Sequence, residues 1–161
     1  MKKKSNVSRE TLKTKKVGSN VSRETLDNYY MSLALKEAQK AFKHNEIPVG
    51  CIIVKDNKMI SKAYNKREKE NKIIAHAEIL AITKANKKIK NWRLDNCIMY
   101  ITMEPCMMCC GAIEQSRIKQ VIYGCENKSF GYLSKYKKIK SKLLYTEDCK
   151  KIVQDFFKTI R

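Results

Sequence analysis

Met103-Glu104-Pro105-Cys106-Met107-Met108-Cys109 follows directly on the apolar run Cys97-Ile98-Met99-Tyr100-Ile101-Thr102, and Ala75-His76-Ala77-Glu78 lies upstream of both. A strand running into Pro105 and then a helix is the natural reading, because proline is tolerated in the first turn of a helix. Cys106 and Cys109, three positions apart at that helix start, offer two thiolates to one metal ion. His76 adds one imidazole. This set of two sulfurs and one nitrogen suits zinc, with a fourth position left for water. Glu78 is then free to move protons instead of binding metal.

Two plainer readings compete for Cys106 and Cys109: half of a closed structural zinc site, or a redox pair. A closed site needs a second pair of ligands at short spacing, and His44 is the only other histidine. No second Cys-x-x-Cys is present. A redox pair has no use for His76-Ala77-Glu78. The combination of His-x-Glu with Pro-Cys-x-x-Cys resembles the signature of the zinc deaminases.

The chain of 161 residues is bounded by composition. The chain suits a single core, and no apolar run approaches the ~20 residues of a membrane span. Met1-Lys2-Lys3-Lys4-Ser5 has no apolar stretch behind its charges, so no secretory signal is expected. Seven cysteines, five of them (Cys51, Cys97, Cys110, Cys125 and Cys149) outside the metal motif, fit free thiols in a reducing cytoplasm. The net charge is +19, which points to an anionic partner. Lysine supplies most of it, beside abundant asparagine, isoleucine and tyrosine, so part of the excess reflects AT-rich coding.

Ser5-Asn6-Val7-Ser8-Arg9-Glu10-Thr11-Leu12 recurs identically from Ser19 to Leu26. The period is too short for a stacked repeat fold, and the lysine-rich surroundings predict a disordered arm over residues 1–26. Back-translation of the repeat allows a palindromic DNA string resembling the sites bound by bacterial chromosome-partition proteins. The arm is therefore expected to be DNA sites read through as protein, with native translation starting near Leu26. A domain over 27–161 follows. Its first helix is capped by Asp27 or Asn28 and carries an apolar stripe from Met31 to Phe42. His44 is expected on the surface. A strand at 51–54, a turn at 55–58 and a strand at 59–64 form a hairpin. Residues 66–73 read as a charged loop, then a helix from His76 to about Asn86. After the strand at 97–102 come a helix at 106–115, a strand at 120–124, a weaker strand at 139–145, and a last helix from 146 to near Arg161. Alternating strands and helices indicate an α/β sandwich.

Beyond the zinc motif, the chain resembles the bacterial tRNA adenosine deaminases over about residues 27–161. The resemblance is carried by Ile47-Pro48-Val49-Gly50, Asn65, Ala75-His76-Ala77-Glu78-Ile79, Asn91-Trp92-Arg93-Leu94, Thr102 through Cys109, Gly111-Ala112-Ile113, Ser116-Arg117-Ile118 and Phe156-Phe157. It implies a three-layer α/β/α fold of the cytidine deaminase type, around a mixed sheet of about five strands. It also implies a homodimer that binds the tRNA anticodon stem-loop and converts adenosine 34, the wobble position, to inosine, with arginine tRNA bearing an ACG anticodon as the expected substrate. In that family pattern His76, Cys106 and Cys109 hold one Zn2+ per subunit and Glu78 carries the proton. Asn65 contacts the target nucleoside, and backbone near Ala77 and Pro105 lines the base pocket. One of Phe156 and Phe157 is expected to be buried and the other, Phe157, near the RNA; Trp92 is open to packing or stacking. DNA and membranes are not expected partners.

The chain departs from the family pattern in places. Asn127 stands where aspartate is usual, in a loop near RNA, which bears on the sugar contacts there. The 131–146 segment is short and lysine-rich, so a helix there is expected to be missing or reduced. Cys110 replaces a small alanine beside a ligand and is not expected to bind metal. Two other functions are compatible with the motif: deamination of a free nucleoside, nucleotide or base (cytidine, dCMP or guanine), and a catalytically silent zinc protein serving as an RNA-binding subunit. Intact Glu78 argues against the second.

Overall fold

Three apolar runs, short and bounded by polar turns, become central strands because both of their faces are covered. The structure, a computed structural model, describes residues 21–160. The elements in chain order are α1 (Arg23–Lys43), β1 (Gly50–Lys55), β2 (Lys58–Tyr64), α2 (Arg67–Glu70), α3 (Ala77–Ile89), β3 (Cys97–Ile101), α4 (Met107–Gln115), β4 (Gln120–Tyr123), β5 (Ser141–Leu143) and α5 (Glu147–Thr159). They form one five-stranded sheet in the order β2-β1-β3-β4-β5. β1 pairs antiparallel with β2 and β3, while β3, β4 and β5 run parallel.

Alternation along the strands divides the core in two. Ile52, Val54, Tyr100 and Ile122 pack with Leu26, Tyr30, Met31 and Ala34 of α1 and Cys149 of α5. Cys51, Ile53, Met99, Ile101 and Val121 face the other way, onto Ala77, Ala81 and Ala85 of α3 and Cys110 and Ile113 of α4. The result is the three-layer α/β/α arrangement. Among the described residues no helix is long and apolar enough to cross a membrane.

Two local features fix the frame. Asp56 and Asn57 both take positive φ (48° and 54°), the pairing that a two-residue hairpin turn requires. Gly50 lies so close to α1 that a Cβ there would stand 2.0 Å from the Ala34 carbonyl oxygen. The helix therefore rests directly on the start of β1.

The domain boundary at 27 is corrected. Ser22, not Asp27 or Asn28, caps α1: its Oγ accepts a hydrogen bond from the Thr25 amide at 3.2 Å. Leu26 is buried with Tyr30, one turn on, against the sheet. Asp27 sits inside the helix with its carboxylate buried, accepting hydrogen bonds from the Tyr100 hydroxyl (2.7 Å) and from Lys142 Nζ (3.1 Å), with Arg23 Nε at 3.3 Å. Residues 21–26 thus belong to the fold; the rest of the arm, 1–20, lies outside the described residues. A start at residue 26 would remove the Ser22 cap.

Two smaller expectations also change. The 66–73 stretch contains the short helix α2, whose first amides are capped from outside by Glu46, described below. The strand expected over 139–145 shortens to Ser141–Leu143, because Ile139 turns into the core instead. Between Gly131 and β5 no helix forms. His44 is exposed as expected, and Cys149 joins the buried thiols; all seven cysteines are free.

Leu26→Ala is expected to lower unfolding stability by about 2 kcal/mol or more, since it empties a packed position. Urea denaturation followed by circular dichroism measures this. An unchanged midpoint would place the start of the fold after Leu26.

Candidate metal and active site

Helices α3 and α4 each begin at a ligand. His76 is the N-cap of α3 and Cys106 the N-cap of α4, and neither side chain is spent on a capping hydrogen bond. Cys109 lies one turn into α4 and is fully buried. β2 and β3 both run antiparallel to β1 and end on either side of its start, Tyr64 opposite Gly50 and Ile101 opposite Cys51, so α3 and α4 begin at the same edge of the sheet and the three side chains converge. His76 Nδ1 lies 3.8 Å from Cys106 Sγ and 3.5 Å from Cys109 Sγ. All three ligand atoms lie within 4.8 Å of one another. Zinc bound at ordinary Zn–N and Zn–S lengths in a tetrahedron would hold nitrogen and sulfur about 3.6 Å apart. The donor set therefore fits zinc in both chemistry and spacing.

Electrostatics favour a preformed cluster. The Cys109 thiol donates to Cys106, and His76 adds a second hydrogen bond. Together they hold the Cys106 thiol down at about 4, so it is a thiolate. Its donor role toward Cys106, together with burial, pushes the Cys109 thiol far up, so it keeps the shared proton. His76 is raised mainly by its hydrogen bond to Cys106. A metal ion entering here must displace the Cys109 proton to gain its second thiolate.

Glu78 is buried one position into α3 and stands outside the ligand triad. Burial pushes its carboxyl up from the usual carboxylate range to about 7, opposed by its own backbone amide and the His76 charge. A carboxyl poised near neutrality can both accept and return a proton.

His76, Glu78 and Cys106 open onto a cavity of about 420 Å³, a size suited to a nucleoside. Asn65, Ala77, Asn127 and Phe157 line it, as do Ile47, Arg67, Lys128 and Phe130. Phe156 is buried, edge-on to Phe42 at 5.8 Å between ring centroids, while Phe157 turns to the cavity. Asn65 fills the turn-residue role and faces the cavity at once. Its Oδ1 accepts from the Arg67 amide at 3.3 Å, and its Nδ2 donates to Glu46 Oε2 at 3.4 Å. Pro105 itself is buried, and its carbonyl accepts from the Tyr132 amide at 3.0 Å. Its neighbours Glu104 and Cys106 face the cavity. Trp92 is exposed under the Arg93 guanidinium (5.3 Å) and away from the cavity. The Cys110 sulfur points to the Pro105 carbonyl at 3.8 Å, and burial pushes its thiol up to about 12.

Reading the sequence missed the residues that hold the walls. Glu46 is fully buried and accepts the amides of Glu68 (3.1 Å) and Lys69 (2.7 Å), capping α2 from another part of the chain. Glu104 accepts the amides of Asn127 (3.2 Å) and Ser134 (3.3 Å). A charged residue type gives no local sign that it will be buried. Only the position of Glu104 beside the metal motif offered a hint.

The family model for the cytidine and deoxycytidylate deaminase zinc-binding region matches residues 24–125. A tRNA-specific adenosine deaminase of Streptococcus pyogenes serotype M1 is 43% identical over 141 residues, covering 81% of this chain and 82% of its own length. The chain belongs to the tRNA-specific adenosine deaminase family. Among solved structures, one from a study of A-to-I editing by tRNA:A34 deaminases at the wobble position of transfer RNA matches with a TM-score of 0.75 at 29% identity, covering 78% of this chain and 99% of that one. The guanine deaminase of Bacillus subtilis matches with a TM-score of 0.61 at 30% identity, over 81% and 93%. Deaminase chemistry is common to all of these relatives, and the cluster of His76, Cys106, Cys109 and Glu78 has the parts for it.

Loaded with zinc and desalted, the wild-type chain is expected to retain about one zinc per chain, and Cys106→Ala close to none. Cys110→Ala should retain as much as wild type. Metal analysis by plasma emission reads all three, and loss of zinc from Cys110→Ala would place that sulfur in the site.

Proposed function

We propose that this protein is a zinc-dependent deaminase that converts adenosine to inosine at wobble position 34 of tRNA, with arginine tRNA bearing an ACG anticodon as substrate. The observation that carries the proposal is Glu78, a buried carboxyl poised near neutrality, beside a three-ligand cluster that opens onto a nucleoside-sized cavity.

His76, Cys106 and Cys109 would hold zinc, which when bound activates water by lowering its pKa toward ~7. Everything else falls to the chain. Glu78 takes a proton from the water that adds to C6 of the adenine and delivers it to the ring nitrogen. It then passes the second proton to the departing amino group, so that water and adenosine become inosine and ammonia. The target base must leave its stack to reach Glu78, which an unpaired anticodon loop permits at low cost. Asn65 and Asn127, on opposite segments of the wall, are placed to contact the nucleoside. Phe157 stands at the same cavity for the RNA.

The charge supports an RNA substrate over a free nucleoside, since basic surface beyond the pocket serves no small ligand. Arg67 and Lys128 bring that charge to the cavity itself. The protein acts in the cytoplasm as a homodimer on the anticodon stem-loop, without DNA or membrane partners. Deamination of a free base or nucleoside is the second reading, favoured by the likeness to a guanine deaminase. The silent-subunit alternative is disfavoured by the retained, buried Glu78.

Incubation with arginine tRNA bearing ACG, followed by sequencing, should show inosine at position 34. Turnover of free guanine, cytidine or adenosine alone would move the assignment to the second reading. Glu78→Ala is expected to keep zinc and lower turnover by at least about 100-fold, the usual scale of a lost general acid–base. Substantial residual turnover would remove Glu78 from its role.

A further inference from the structure

Phe130 is 75% exposed at the cavity mouth, the most exposed aromatic ring among the described residues. A surface phenylalanine on a loose loop would mean little. This one is held in place. The Asn127 side chain accepts the Phe130 amide at 3.1 Å, and the Asn127 carbonyl accepts the Gly131 amide at 2.8 Å, closing a tight turn around Lys128-Ser129-Phe130. Both ends of the segment are tied to one buried carboxylate, Glu104, through the amides of Asn127 and Ser134. Gly131 packs onto that carboxylate so closely that a Cβ would stand 2.2 Å from Glu104 Oε2, and it bridges to Cys106. The metal motif itself therefore fixes the backbone from which the ring projects.

Cations accompany the ring. Lys128 lies two residues away on the same turn, and Arg67 lines the cavity from the α2 segment. An exposed aromatic on a fixed backbone turn, beside basic side chains at the entrance to a nucleoside-sized cavity, is the arrangement by which proteins stack unpaired bases. Resting on the reading of an RNA substrate, we propose that Phe130 is a stacking platform for an unpaired loop base that neighbours the extruded nucleotide. Glu104 acts as the positioning residue that presents it. A π-face serves any base, so the contact adds affinity for single-stranded loop while tolerating changes in the neighbour's identity.

The test uses the full chain and the anticodon stem-loop of arginine tRNA bearing ACG, made intact and with an abasic site on either side of the target adenosine. Phe130→Ala should weaken Kd for the intact loop by about 5- to 150-fold, the range of one lost base–aromatic stack. On one of the two abasic loops the same substitution should change little, and Phe130→Trp should restore binding to the intact loop. Because the side chain is exposed, these variants are expected to fold. Three results would overturn the proposal: equal losses on intact and both abasic loops, no loss on any, or a change confined to oligomeric state, which would mean that a second copy covers the ring. Wild-type chain that deaminates the loop while Phe130→Ala binds it equally well defeats this inference alone. Wild-type chain that neither binds nor deaminates the loop defeats the RNA reading and this inference with it.

Discussion

Three ligand atoms from two helices must meet within a few ångströms, and no local interaction brings them there. His76 caps α3 and Cys106 caps α4, and the two helix starts adjoin because β2 and β3, which lead into them, flank β1 and end at the same sheet edge. The antiparallel β1–β2 and β1–β3 registers thus underlie the 3.5 and 3.8 Å separations between His76 and the two sulfurs. Helix N-termini also suit the electrostatics, because their free amides and positive dipole ends favour a thiolate and a carboxylate. The same cluster holds Cys106 as thiolate and buries Glu78 beside it.

Buried carboxylates recur wherever a segment must be kept still. Asp27 ties α1 to β3 through Tyr100 and to β5 through Lys142. Glu46 holds the start of α2, hence Arg67, and Glu104 holds both ends of the turn that carries Lys128 and Phe130. Burying a charge is costly unless hydrogen bonds compensate; for Glu46 and Glu104 the bonds come chiefly from backbone amides of the cavity walls. The walls are therefore fixed relative to the metal motif before any substrate arrives, which spares binding the cost of ordering them.

Much of this was legible in the sequence. The strands expected at 51–54, 97–102 and 120–124 centre on apolar runs, the turn at 55–58 holds Asp56-Asn57, and the ligands stand in a spacing with few rivals. Misreadings had particular causes. The exact repeat of Ser5–Leu12 at 19–26 drew the boundary to Asp27, although Ser22 as cap and Leu26 in register with Tyr30 carry the helix back to Arg23. Asp27 has the residue type of a cap but finds a better partner in Tyr100, a residue far away in sequence. Glu46 and Glu104 were unreadable as anchors because their partners are backbone amides, which every sequence possesses.

X-ray absorption at the zinc edge of the metal-loaded protein measures the central cluster directly. One nitrogen and two sulfurs at Zn–N of about 2.0 Å and Zn–S of about 2.3 Å, with one light oxygen scatterer completing the set, is the expected result. A third sulfur, or a second imidazole filling the remaining position, would make the site closed and structural and would contradict its role in deamination.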